Sequence, residues 1–458
     1  MITPQVLVEA ALEASRADGC LVLVEESTEA NLRWANNTLT TNGVARARNL
    51  TVISVVGSSV AVVSRQGVSK LDEAAEVVAA ADASARRAAP AEDAAPLLGP
   101  DVSSGDWVAP AAETGIGVFE SFAADLGASL RRAAANRQVL YGYATYDLTT
   151  TFLASSSGLR CRYDQPTGHV EINAKSADLS RSTWVGRPSA DFSDVDVSSL
   201  HDDLDRRLAW AERRVDLAAG RYETILPPSA VADLMIPLYW AAAARDAADG
   251  RTAFSRGGGA TRVGERLSHT PLTLRSDPTA PGLGCAPFLA TASSGSTVSV
   301  FDNGSALQPV SWISDGVLRA LVQTRHSAVR TGLAFTPYVD NLILDSSEPA
   351  GDLEHLVAAT DRGLLLTCLW YIREVEPQTL LLTGLTRDGV YLVEGGEVTA
   401  AVNNFRFNES PLDVLDRADL VGGTERSLPR EWSDYFTRTA MPPMRVRDFN
   451  MSSVSQAS

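Results

Sequence analysis

Metal-assisted hydrolysis needs three protein ligands around the ion, an open position for water, and a carboxylate to take the water proton. On a helix this shows as two histidines about one turn apart with a glutamate beside the first. The five histidines here, His169, His201, His269, His326 and His355, never come within 25 residues of one another. Glu354-His355 has no neighbours that complete such a motif. His201, beside Asp202 and Asp203, reads as a solvated position in the first turn of a helix, and His326 as exposed. Nucleophilic hydrolysis is no better served, because there is no G-x-S-x-G elbow. Cys20, Cys161, Cys285 and Cys368 lie more than 80 residues apart, and core filling is their expected role. The run Arg256-Gly257-Gly258-Gly259-Ala260-Thr261-Arg262 lacks the G-K-[ST] ending of a phosphate cradle and reads as a turn before a strand. Glu25-Glu26 and Asp202-Asp203 read as solvated charges. Local motifs therefore assign no catalytic residue and no metal ligand.

The elements that would position any site alternate in character along the chain. Residues 5–18 read as an amphipathic helix. Alternating β-branched stretches follow near 21–25, 31–41, 45–56 and 58–65, with turns at Asn42-Gly43 and Gly57-Ser58. A helix capped at Ser69 runs to about Ala88, and 89–106 reads as a surface loop. A helix over 114–136, strands over 138–155 and 158–174, and a helix over 200–219 with its cap at Ser199 complete the first part. Next comes a helix over 229–249 with a kink at Pro237. Short strands then dominate, including 297–301 and 316–322, with one clear helix at 352–361 and a frayed end at 452–458.

With 458 residues, two or three domains are expected, and 45% hydrophobic with 21% charged residues is the balance of a globular protein. The formal net charge of −16 disfavours nucleic acid and anionic lipid as partners. Forty basic residues include only two lysines, Lys70 and Lys175, which reads as compositional bias. The N-terminus lacks a signal-peptide pattern and no apolar run reaches membrane-spanning length, so a cytoplasmic protein with reduced cysteines is expected.

The segment Arg33-Trp34-Ala35-Asn36-Asn37-Thr38-Leu39-Thr40-Thr41-Asn42-Gly43, followed by Arg46 and Arg48, resembles the N-terminal signature of the TldD/PmbA family. The resemblance continues, in the family's order, through Ser155-Ser156-Ser157-Gly158, Gly220 to Pro228, Leu274 to Gly284, Ser314 to Leu318 and Asp340 to Leu344. In that family the catalytic subunit carries HExxxH on the helix opening the second domain, with a later cysteine completing a zinc site. The corresponding segment here, Ala230 to Arg245, contains neither His nor Glu, and no cysteine follows Cys368. Both departures resemble the TldE (PmbA) branch.

The resemblance implies an α+β protein: a mixed N-terminal domain with antiparallel strands over 1–220, and a β-rich, barrel-like C-terminal domain over 221–458. It further implies a non-catalytic subunit that carries no cofactor itself and pairs with a TldD-like, zinc-bearing HExxxH subunit. Unfolded or small peptides would be the substrates, in an enclosed chamber that Asn341 helps to line or that Asn341 supports from a turn. Two other readings stay open: a stand-alone homodimeric peptide-binding or scaffold protein, and an enzyme whose site is assembled from scattered Asp, Glu and His.

Overall fold

The computed structural model describes residues 2–456 and is an α+β protein built on three main sheets. The first is antiparallel, in the order β3-β2-β1-β4-β5-β6. Its strands are β1 (Gly19–Ala35), β2 (Thr38–Val56), β3 (Ser59–Gln66), β4 (Gln138–Ser155), β5 (Arg160–Ser176) and β6 (Ser182–Ser189). The even-numbered apolar positions of β1, β2, β4 and β5, such as Val22, Leu50, Leu140 and Ile172, face four helices: α1 (Pro4–Ala14), α2 (Leu71–Ala85), α3 (Glu120–Ala135) and α4 (Val197–Trp210). The odd-numbered positions of those four strands face the second half of the chain, where Leu21, Ile53 and Leu153 pack with Phe288, Val300 and Phe301. The strand period of two thus gives both faces something to bury.

The family-like segment folds as the tip of the β1–β2 hairpin. Asn36 and Asn37 both take positive φ (51° and 58°), the demand of a two-residue hairpin turn that Asn tolerates. Asn37 also exchanges hydrogen bonds with the carbonyl of Gln138 and the N–H of Leu140, fastening the tip to β4. The expected strand 31–41 is therefore broken at Asn36-Asn37, and Asn42-Gly43 lies inside β2.

The second half does not close into a barrel. Its strands form an open ten-stranded sheet and a six-stranded sheet in which Leu272–Ser276 sits between Val310–Ser314 and Leu342–Ser346. The larger sheet recruits β7 (Arg214–Val215), so the expected helix over 200–219 ends at Trp210; its cap is Asp196, whose carboxylate accepts from Ser199. The cap of α2 is Lys70 rather than Ser69, because the Glu73 carboxylate reaches back to both N–H groups. The stretch 297–301 is not a strand but leads into a single 3₁₀ turn at Val300–Asp302. The C-terminal strand Met444–Val454 continues well into the expected frayed end, and Ala457 and Ser458 lie outside the described residues.

After β8 (Gly220–Leu226) comes α5 (Pro228–Trp240). Proline at N1 suits the start of α5, and ten of its thirteen residues are buried. A helix apolar all round belongs inside a core, and Leu234, Met235 and Ile236 lie in the largest cluster of the protein. The expected long helix over 229–249 is instead two pieces, because α5 ends at Trp240 and a short helix follows at Ala244–Ala248.

A candidate binding site around a buried aspartate

Asp233 is the one charged residue of α5 and is fully buried. Pro237, one turn later, has no N–H to give to the Asp233 carbonyl. The Trp432 indole supplies the missing donor at 2.9 Å. The Asp233 carboxylate accepts from the backbone N–H of Arg430 (3.1 Å) and of Glu431 (2.9 Å). Burial pushes this carboxyl well above the usual carboxylate range, and the two N–H donors pull against that shift. Three hydrogen bonds thus clamp the segment 430–432 onto the helix. Trp240 and Trp432 then meet edge-on with centroids 5.0 Å apart.

The clamped segment separates two clefts. One, of about 420 Å³, is bounded by Pro237, Trp240, Ile372, Glu374 and Trp432. The other, of about 320 Å³, lies between the odd face of the first sheet and the strand Leu369–Glu376. Tyr141, Asn173 and Lys175 form its floor, with Trp370, Arg387 and Arg430 opposite. Arg430 lies over the Trp370 ring at 4.0 Å and over the Trp184 ring at 5.4 Å.

Glu171 joins the two halves beside this cleft. Its buried carboxylate accepts from Tyr143 (2.9 Å), Trp184 (2.9 Å) and Ser433 (2.9 Å) and lies 3.1 Å from the Arg430 guanidinium. Burial and the nearby Glu171 charge push the Tyr143 hydroxyl up. Cys368, also on the cleft wall, is buried, and that burial pushes its thiol up, away from the thiolate that nucleophilic or metal chemistry needs.

The remaining sequence candidates are scattered. Asn341 is fully buried and spends its side chain on the 277–283 loop: its amide donates to the carbonyls of Asp277 (2.6 Å) and Leu283 (2.8 Å), and its oxygen accepts from the Asp277 N–H (2.9 Å). Leu283 in turn borders a separate cleft of about 240 Å³ with Thr167 and Arg438. His201 is buried, not solvated. It pins α4 to α3 through Ser129 Oγ, 2.5 Å from Nδ1. His326 is partly covered, 3.6 Å from Glu92, rather than exposed. Glu26 is not a free charge either, since it pairs with Arg48. All four cysteines are buried and unpaired. Among the described residues, no three His, Cys, Asp or Glu side chains are arranged to hold a metal ion.

Residues 219–453, just over half of the chain, match the family model described as the PmbA/TldA metallopeptidase C-terminal domain. The chain belongs to the TldD/PmbA family. Among solved structures its fold is similar to that of TldE from Thermococcus kodakarensis, with a TM-score of 0.79 at 16% identity, covering 97% of this chain and 99% of that one. It is also similar to two proteins described as candidate modulators of DNA gyrase. The one from Thermotoga maritima has a TM-score of 0.73 at 16% identity, covering 94% and 95%. The one from Bacteroides thetaiotaomicron has a TM-score of 0.74 at 14% identity, covering 98% of each chain. No curated protein matches the sequence.

A metal ion is implied by the metallopeptidase description of this family. The residues of α5 do not fit one, since Asp233 is its only side chain of ligand type and both carboxylate oxygens are taken by backbone donors. Sequence reasoning missed Asp233, Glu171 and Arg430. The available signal was an aspartate inside an otherwise apolar helix, since an unpaired charge is rarely buried.

Proposed function

We propose that this chain is a non-catalytic subunit of a two-subunit zinc metallopeptidase acting on unfolded or small peptides. The reading rests on one observation above all: the helix that opens the family-matched region presents a backbone-clamped aspartate where hydrolysis would require free metal ligands. Family membership and the similarity in fold to a TldE protein support it.

On this reading the HExxxH-bearing partner holds the zinc and performs the cleavage. The present chain closes the chamber and stabilises the partner's active form, with its clefts facing peptide. The same proposal divides the chain into domains at 1–220 and 221–458 and assigns it to the cytoplasm. Among the described residues no helix is long and apolar enough to cross a membrane.

Co-expression with a TldD-like partner tests the proposal. The two chains are expected to co-purify, and removal of this chain should abolish cleavage of an unstructured peptide by the partner. Full activity of the partner alone would overturn it.

A further inference from the structure

The cleft of about 320 Å³ between the two halves has an unusual charge arrangement. Arg430 is paired with Glu171 at 3.1 Å, and Arg387 with Asp388 at 3.5 Å. Asp388 is further held by the Ser182 hydroxyl. Lys175 makes no ion pair among the described residues and only lies over the Tyr141 ring at 5.9 Å. One positive charge is therefore left over, on a side chain that lines the cavity. In a chain whose basic residues are arginines at all but two positions, the compact three-donor ammonium of lysine stands out here.

Two further features mark the cleft as built. Asp388, on its wall, holds φ of 51°, a left-handed conformation uncommon for residues other than glycine. Trp370 and Tyr141 supply aromatic walls beside the ammonium. A monoanion carrying an apolar group fits this combination. With Arg387 and Arg430 already paired, the single uncompensated charge of Lys175 balances one negative charge and not two.

We propose that this cleft binds the C-terminal carboxylate of a peptide, with the ammonium of Lys175 as the charge partner and Trp370 and Tyr141 packing against the terminal side chain. The inference rests on the reading of the chain as part of a peptide-handling complex, but it is tested on this chain alone, without cleavage. The probe is N-acetyl-Ala-Ala-Phe with a free carboxylate, compared with its C-terminal amide, by isothermal titration and tryptophan fluorescence.

The acid is expected to bind about tenfold more tightly than the amide, the scale of one charge-assisted hydrogen bond. Lys175→Met should bring the acid down to the amide's affinity, and Lys175→Arg should retain part of the preference. Equal binding of acid and amide to the unsubstituted chain would overturn the proposal, whether or not the variants fold. So would a preference that survives in Lys175→Met, or inorganic phosphate displacing the peptide acid where acetate at the same concentration does not. Because no partner is present, these outcomes are separate from loss of stimulation in the co-expression experiment.

Discussion

At the scale of single residues, two buried polar side chains hold the second half in register with itself. Asp233 ties α5 to the segment 430–432, and Asn341 ties its strand to the 277–283 loop. Truncation of either leaves buried partners without hydrogen bonds. Asp233→Ala orphans two backbone N–H groups, at about 1–3 kcal/mol each. Asn341→Ala orphans the Leu283 carbonyl and the Asp277 N–H, because the Asp277 carbonyl keeps its bond from the Ala280 N–H, and is expected to cost a similar amount per group. Urea unfolding checks both, and an unchanged midpoint in either variant would contradict the assigned role. Asn341 was legible in the sequence as part of a family-like segment, but its bonding was not. A side chain whose partners lie about 60 residues away leaves no local pattern.

At the scale of elements, helices and strands were legible wherever period and turn residues agreed. The β1–β2 hairpin shows where they did not, because Asn42-Gly43 looks like the stronger turn signal while Asn36-Asn37 makes the turn. Here the long-range bonds from Asn36 and Asn37 to β4 outweigh local preference. His201 shows the same limit on a helix. Its acidic neighbours suggest solvent, yet its position falls on the stripe of Leu200, Leu204 and Leu208 that packs α4 onto the core. Burial holds the His201 pKa below its usual 6.5, while Asp205 and Asp202 oppose that shift and Arg132 adds to it. The neutral ring is therefore the folded form. Its contribution is full above 6.5 and is lost as pH falls through the depressed value. Between pH 7.5 and 5, the wild type should lose stability that a His201→Leu variant keeps. Parallel pH profiles in denaturant unfolding would refute this.

At the scale of the whole molecule, the first sheet is a two-sided platform. Its even face is apolar and easily predicted to be buried. Its odd face, with Tyr141, Tyr143, Glu171, Asn173 and Lys175, alternates as a solvent-facing strand would. Instead it meets the second half, which satisfies its polar groups through Arg430 and Ser433. Such a surface cannot be told from a wet one by period alone, and for this reason the candidate site escaped the sequence. Glu171 is the hub of that contact. Glu171→Ala breaks a buried ion pair and is expected to cost about 3–5 kcal/mol, uncoupling the unfolding of the two halves. Calorimetry showing one unshifted transition would contradict it.

Whether this chain supports hydrolysis without performing it, as proposed, is decided by zinc titration and peptide cleavage on the purified chain alone and with the proposed HExxxH-bearing partner. No stoichiometric zinc and no cleavage by the chain alone are expected, with cleavage only in the pair. One zinc per chain together with cleavage in the absence of a partner would contradict the proposal.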